Sequence, residues 1–468
     1  MSRLTQRPAP VDLTSIESRY QRFGLSENPF PSSAFVNQES SDRRINGDLF
    51  EIEIRKKEYE QIMAHFLRSP QSDPNHLRLG YIIDASYIGR GNGKSAFLVN
   101  LHQSINKEYC LDISGGTNKC FAVYVQPEAG GRTKTFPSFV DMIFDAILRS
   151  GIIDISLAIL RLDALGVAYP QIDLSSEMDD EAQLVSDLNS EEWYRSRNLL
   201  CTRVAAAVLS NPYLQCLPQG FPLYQERERL LPEMVTQSSF QEYYARDLRR
   251  GPERFAFVFS DLVRFFLAAG FNGAYVLVDD FERVPSFQSA REKTDFALEV
   301  RSCLFDGAYE SARIGFYDLL LVLHAGVPRL IKEAWDQSGM ARRSPLDPTA
   351  SSQHIIPFEK LSKRHTGPLL KKYLSAYRTD AAMNDELAPF TLGAVNKIGE
   401  LSEYNAAAIL MTAYQLLEKA ASTPAQTVID ERFVDECRGD LKLDVDRRAP
   451  DIETAASVDL LKKADDGG

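Results

Sequence analysis

An α/β fold is predicted, with a parallel sheet, a helical insertion and a C-terminal helical region, and three features of the 468 residues predict it. Apolar, β-prone runs alternate with stretches of helical period. One glycine-rich segment lies between a strand and an amphipathic helix. A second apolar run ends on two aspartates, Asp279 and Asp280.

Composition sets the frame. With 44% hydrophobic and 25% charged residues the chain is globular and excludes disordered and collagen-like classes. A net charge of −12 leaves no whole-molecule positive field, so any nucleic-acid contact has to be local. The six cysteines, at 110, 120, 201, 216, 303 and 437, form no zinc-type cluster and read as buried thiols of a reducing, cytoplasmic compartment. No apolar run approaches the ~20 residues that cross a bilayer. The most apolar stretch, 255–278, is broken by Asp261, Arg264 and Asn272-Gly273.

Taken in order, residues 1–48 are rich in Pro, Ser and Arg and contain Asn28-Pro29-Phe30-Pro31, which reads as an extended, docked arm. A helix is expected over 49–67 and a strand over 77–83. Glycines follow, and then a helix with Leu98, Leu101 and Ile105 on one face. A second strand fits 120–125, followed by an amphipathic helix that turns Phe139, Ile143, Ala146 and Ile147 inward.

The next strand, 274–278, comes only after a long helical stretch, too long for a crossover, so residues 150–254 are read as an insertion. Its segment from Asp173 to Glu192 holds eight acids and no Lys or Arg. That segment is either a solvated acidic loop or a docking surface for a basic protein partner. Strands at 318–324 and 354–357 complete the sheet, helices run from 359 to about 437, and residues 439–468 form an acidic tail.

The chemistry concentrates in three places. Gly89-Arg90-Gly91-Asn92-Gly93-Lys94-Ser95-Ala96 joins a strand to a helix. Glycines there let backbone N–H groups turn inward around phosphate oxygens, and the helix start adds its positive end. Lys94 is placed to reach the β/γ oxygens of ATP, and the Ser95 hydroxyl to ligate Mg²⁺, as in a P-loop. The pattern G-x-x-x-x-G-K-[ST] requires glycine at position 88, where this chain has Ile88.

Second, the apolar strand ending in Asp279 and Asp280 puts carboxylates at the carboxyl edge of a parallel sheet. Asp279 is the second Mg²⁺ candidate, and Asp280 or Glu282 would position the attacking water. Third, Leu319 to His324 is a strand ending in a polar residue. His324 is either a sensor of the γ-phosphate, on a strand added between the phosphate loop and the acidic strand, or a satisfied strand-end histidine.

The order of these motifs, with His354-Ile355-Ile356-Pro357-Phe358 leading into helices, resembles the AAA+ ATPases. The nearest branch is that of origin-recognition initiators, transposition regulators and STAND ATPases. The resemblance implies a P-loop ATPase core over 49–358, a helical lid over 359–438 and a homo-oligomer. It also implies an arginine supplied to the neighbouring subunit, for which Arg342 and Arg343 are candidates, against a solvated basic loop. Where the family carries Gly-Asn-x-Arg in the lid, this chain has Tyr404-Asn405-Ala406-Ala407.

The functional expectation is a Mg²⁺-dependent, slow ATPase acting as an oligomeric switch associated with DNA, which would touch the DNA backbone through Arg246, Arg249, Arg250 and Arg254 or Lys363, Arg364, Lys371 and Lys372. The alternatives are a signalling or scaffold ATPase that recruits a protein through the acidic insertion, and a nucleotide-binding module without turnover.

Overall fold

The computed structural model describes residues 19–441 apart from 34, 69–72, 74–75, 85–90, 173, 175–178, 228–233, 325–326, 347–352 and 380–385. Gly89, Arg90, Asp173 and residues 442–468 of the acidic tail lie outside the described residues. Contacts divide the chain into two units. One comprises Lys57–Tyr87 with Leu98–Phe358, and the other Met1–Lys56 with Ile88–Phe97 and Glu359–Gly468.

The first unit is built on five strands, β1 (Leu79–Asp84), β2 (Cys120–Val125), β3 (Gly273–Val278), β4 (Tyr317–Leu323) and β5 (Ile355–Phe358). Their order is β2-β3-β4-β1-β5, and every pairing is parallel. β1, β3 and β4 are buried along their whole length, which explains why they read as continuous apolar runs and not as alternation. Gly80 in β1 is a close approach: a Cβ there would lie 2.2 Å from the Phe66 ring, whose own carbonyl accepts from the Tyr275 hydroxyl at 2.7 Å.

β2 is an edge strand, and its exposed ladder is closed by a side chain. Asn106, on the Lys94–Lys107 helix, donates to Ala122 O at 2.9 Å and accepts from Ala122 N at 2.7 Å. Leu98, Leu101 and Ile105 of that helix are all buried. The helix after β2, Phe136–Arg149, is capped by Thr135 and buries Phe139, Ile143, Ala146 and Ile147.

The insertion between β2 and β3 shares its core with the sheet. Phe144 stacks on Tyr244 at 4.1 Å, and Phe136 meets Phe255 edge-on at 5.0 Å. Its acidic segment is corrected in part, being helical where a loop was expected. Asp180 caps a helix, Glu181–Leu188, by accepting from Gln183 N, and a second helix covers Glu191–Ser196. Leu184, Leu188 and Trp193 are buried, and Glu181 and Glu192 stay exposed, so the acids mark the wet face of amphipathic helices. The helix expected from residue 49 starts at Ile52, because the Glu51 side chain accepts from Glu53 N, and it ends in a wide π turn, Met63–Leu67.

The second unit joins the N-terminal arm to the helices Lys363–Ala376, Leu392–Leu401, Ala406–Ser422 and Glu431–Cys437. The arm docks through buried Phe23, Leu25 and Phe30. Leu25 bridges Arg378, and Phe30 packs on Tyr373 and Phe390. Asn28 donates to Tyr414 O and to Glu418. The arm keeps no regular structure because Pro29 and Pro31 withhold the donors that a ladder needs.

Burial against β2 pushes the His102 imidazole down to about 4. Its folded value lies below its ordinary 6.5, so the stability it brings is complete above pH 6.5 and is lost as pH falls toward 4. We expect the unfolding free energy of His102→Gln to fall less steeply than that of the native chain over this window. The difference in slope is at most about 1.4 kcal/mol per pH unit. Urea titrations at pH 4 to 7 read it, and parallel curves would show that His102 titrates in solvent.

Candidate functional site

At the carboxyl edge of the sheet, neighbouring strands deliver their polar ends to one place. Asp279 follows β3 directly and is 1% exposed. Burial at a strand end demands partners, and it has them. The Tyr124 hydroxyl from β2 donates to Asp279 Oδ2 at 2.8 Å, and Asp280 N donates to Asp279 Oδ1 at 3.0 Å. Burial and the adjacent Asp279 charge push the Tyr124 phenol well up, so it remains a donor at any physiological pH.

Asp280 sits in the left-handed region at φ 47°, a conformation that costs energy for a side-chain-bearing residue and that aspartate tolerates better than most. Its Oδ2 accepts from Arg283 and from Gln126 Nε2 at 3.3 Å, and Arg283 is itself tied to Pro127 O at 3.0 Å. Glu282 leaves the short 3₁₀ turn Phe281–Arg283 and is buried, and its Oε1 lies 3.0 Å from His324 Nε2 just past the end of β4. One ligand atom each from Asp280, Glu282 and His324 fall within 4.8 Å of one another. Two carboxylates and an imidazole so placed can hold a divalent ion or steer a water molecule. Gln126, Arg283 and Tyr124 escaped the sequence reading; only the alternation of β2, which sends Tyr124 and Gln126 to one face, could have signalled two of them.

The second unit holds the glycine segment. Gly91 and Gly93 take φ 102° and 84°, and the Lys94–Lys107 helix starts at once, with Phe97 N bonding back to Gly93 O at 2.9 Å. Two carbonyls of this turn have donors. Gly91 O accepts from Ala407 N at 3.0 Å, and Asn92 O accepts from Arg55 Nη2 at 3.0 Å. In a trans peptide the N–H points opposite to the C=O, so the N–H groups of Asn92 and Gly93 face away from those donors. That is the backbone polarity an anion-binding turn requires.

Arg55 is 4% exposed and also donates to Glu359 O at 2.7 Å. A Cβ on Gly91 would lie 2.6 Å from Asn405 Oδ1, so only glycine fits beneath the Ala406–Ser422 helix, whose first turn Asn405 caps. The stretch Tyr404 to Ala407 thus meets Gly91 with a cap and a backbone donor, where the family resemblance would expect an arginine. Lys94 and Asn92 are buried, and Ser95 and Ala96 are half-buried. Nothing in the sequence singled out Arg55.

Arg342 and Arg343 lie at the end of a 3₁₀ turn, Met340–Arg342, with exposed side chains. The first basic cluster is paired throughout. Arg246 meets Glu242 at 3.4 Å, Arg249 meets Glu253 at 4.0 Å, and Arg250 and Arg254 meet Asp141 at 3.0 and 2.9 Å. In the second, Lys371 pairs with Glu386. Among the described residues no helix is long and apolar enough to cross a membrane.

Arg55→Met should leave one buried and one partly buried carbonyl without their donor and lower the unfolding free energy by about 1–3 kcal/mol. Arg55→Lys should recover part of it, because a single ammonium replaces the planar fork. Chemical denaturation measures both; an unchanged midpoint in Arg55→Met would show that these two hydrogen bonds do not stabilise the fold. Comparison of the chain with protein-family models, with curated proteins and with solved structures finds no match.

Proposed function

We propose that this chain is a P-loop ATPase of the AAA+ type that binds Mg·ATP and hydrolyses it slowly as an oligomeric switch. The observation that carries the reading is the strand order. β4, which His324 follows, lies between β1, which the glycine segment follows along the chain, and β3, which Asp279 follows. This is the arrangement that the added-strand P-loop ATPases require, and chain order alone does not impose it.

The turn polarity at Gly91 to Gly93 fits a phosphate chain: N–H groups and the helix start supply partial positive charge, and Lys94 a full one. Ser95 in the one unit and Asp279 in the other are each suited to a Mg²⁺ ligand, an ion that, when bound, would offset charge on the β and γ oxygens. Asp279 accepts from Tyr124 and Asp280 N through its two oxygens, which suits a carboxylate that meets the ion through water. An exposed Arg342 or Arg343 suits donation to a neighbouring copy, where it would stabilise charge developing in the transition state.

The switch has a physical handle in the second unit. The first turn of the Ala406–Ser422 helix bonds Gly91 O, so occupancy of the turn is felt by that helix. Of the downstream roles, the reading without DNA is the better supported. Four arginines paired with three carboxylates attract a phosphate backbone weakly, whereas the acids on the wet face of the Glu181–Leu188 and Glu191–Ser196 helices suit a basic protein partner.

Mg·ATP at 100 times its dissociation constant should stabilise the native chain by about 2.7 kcal/mol, seen as a rise in melting temperature. Lys94→Ala should abolish that rise and retain the native circular dichroism spectrum. An equal rise in both proteins would overturn the nucleotide reading.

A further inference from the structure

The carboxyl edge of the sheet carries a donor set that the phosphate and Mg²⁺ contacts proposed above do not use. We propose that Asp280, Glu282 and His324 form a site for a divalent first-row transition ion of the Zn²⁺ class, held by two carboxylates and one imidazole. All three residues belong to the sheet-bearing unit, and the inference stands or falls independently of the ATPase reading.

Strand position brings the three together. β3 and β4 are parallel neighbours, with Val278 opposite Leu321, so residues just past their ends meet at one edge. The Phe281–Arg283 turn carries Glu282, whose Oε1 lies 3.0 Å from His324 Nε2 without the alignment of a hydrogen bond. Adjacent ligands of one ion show that separation, since metal–ligand bonds of about 2.1 Å at right angles set their donor atoms about 3 Å apart. Asp280 supplies the third ligand atom. All three fall within 4.8 Å of one another, a spread that small side-chain rotations close.

The surroundings suit a cation. Asp280 Oδ2 accepts from Arg283 and from Gln126 Nε2, and a carboxylate with one oxygen so held offers the other to a metal. Asp279, Asp280 and Glu282 set three formal negative charges against the one positive charge of Arg283, and the surplus of two matches a divalent ion. The side chains of Asp280 and His324 remain partly exposed, which leaves a route for the ion and room for water to complete its coordination.

The donor types select the ion. Mg²⁺ and Ca²⁺ take oxygen ligands, whereas an imidazole in a set of three turns the preference toward Zn²⁺ and its neighbours in the first row. The set contains no thiolate. It is therefore distinct from the Mg²⁺ that accompanies a nucleotide, for which Ser95 and Asp279 are suited.

The test uses the full chain, stripped of metal with a chelator and free of nucleotide. Calorimetric titration should show one Zn²⁺ bound per chain, at least about 100-fold more tightly than Mg²⁺. Glu282→Gln, Asp280→Asn and His324→Leu should each weaken Zn²⁺ binding about 100-fold or more, and Gln126→Ala, which removes only an outer partner, about 10-fold. Asparagine tolerates the left-handed backbone, so Asp280→Asn carries the test where circular dichroism shows another variant unfolded. Co²⁺ in place of Zn²⁺ should give visible d–d bands and no thiolate charge-transfer band.

Equal Zn²⁺ affinity in the native chain, Asp280→Asn and His324→Leu would overturn the site. A thiolate charge-transfer band would do the same, since it would place the ion on cysteines. Mg²⁺ bound as tightly as Zn²⁺ would overturn the class of ion. A chain that binds Mg·ATP and takes up no Zn²⁺ would end this inference and leave the nucleotide reading standing, and Zn²⁺ uptake without ATP binding would do the reverse.

Discussion

Strands that are paired in parallel and buried on both faces can reach water only at their ends, and this constraint organises the sheet-bearing unit. A side chain pointing from the middle of β3 or β4 has to be apolar. Polar chemistry is therefore confined to the two edges, and the two edges are treated differently. At the amino edge His76 pairs with Asp318 at 2.9 Å with both side chains at or below 1% exposed, a closed and internal arrangement. At the carboxyl edge the side chains of Asp280 and His324 remain 17% and 27% exposed, so a ligand or water can arrive.

The carboxyl edge also shows how a buried charge is afforded. Asp279 is nearly inaccessible, yet its two oxygens accept from the Tyr124 hydroxyl and the Asp280 amide. Asp280 follows in the left-handed region, and two residues on, Glu282 Oε1 lies 3.0 Å from His324 Nε2.

In the second unit the same rule of satisfied backbone shapes the glycine turn. Gly91 and Asn92 give their carbonyls to Ala407 N and Arg55. In each of these trans peptides the N–H of the following residue points opposite to the bonded carbonyl. Glycine at 91 is required twice over, by its φ of 102° and by the contact with Asn405.

All five strands were legible along the chain, because runs such as Leu319 to Leu323 and Tyr275 to Val278 are too apolar to stand anywhere but inside a sheet. So were the inward faces of the helices after Gly93 and after Thr135, which follow from helical period alone. The acidic segment was misjudged as a loop because charge density conceals period: Leu184, Leu188 and Trp193 carry the helical signal among eight acids. Arg55 was not legible as a site residue, since a guanidinium that binds carbonyls of distant stretches leaves no local pattern; Arg283 holds Asp280 three residues away, but its second partner, Pro127 O, lies far off in the chain.

What the sequence determined by itself is local. It set which segments are strands, where the backbone can turn through positive φ at Gly91 and Gly93, and that acids follow β3. Tertiary structure alone decided the order β2-β3-β4-β1-β5, the pairing of Glu282 with His324, and the capture of Gly91 by Ala407. The reason is range: propensity and period act over a few residues, whereas hydrogen bonds and packing across hundreds of residues are chosen by the geometry in which every buried polar group is satisfied.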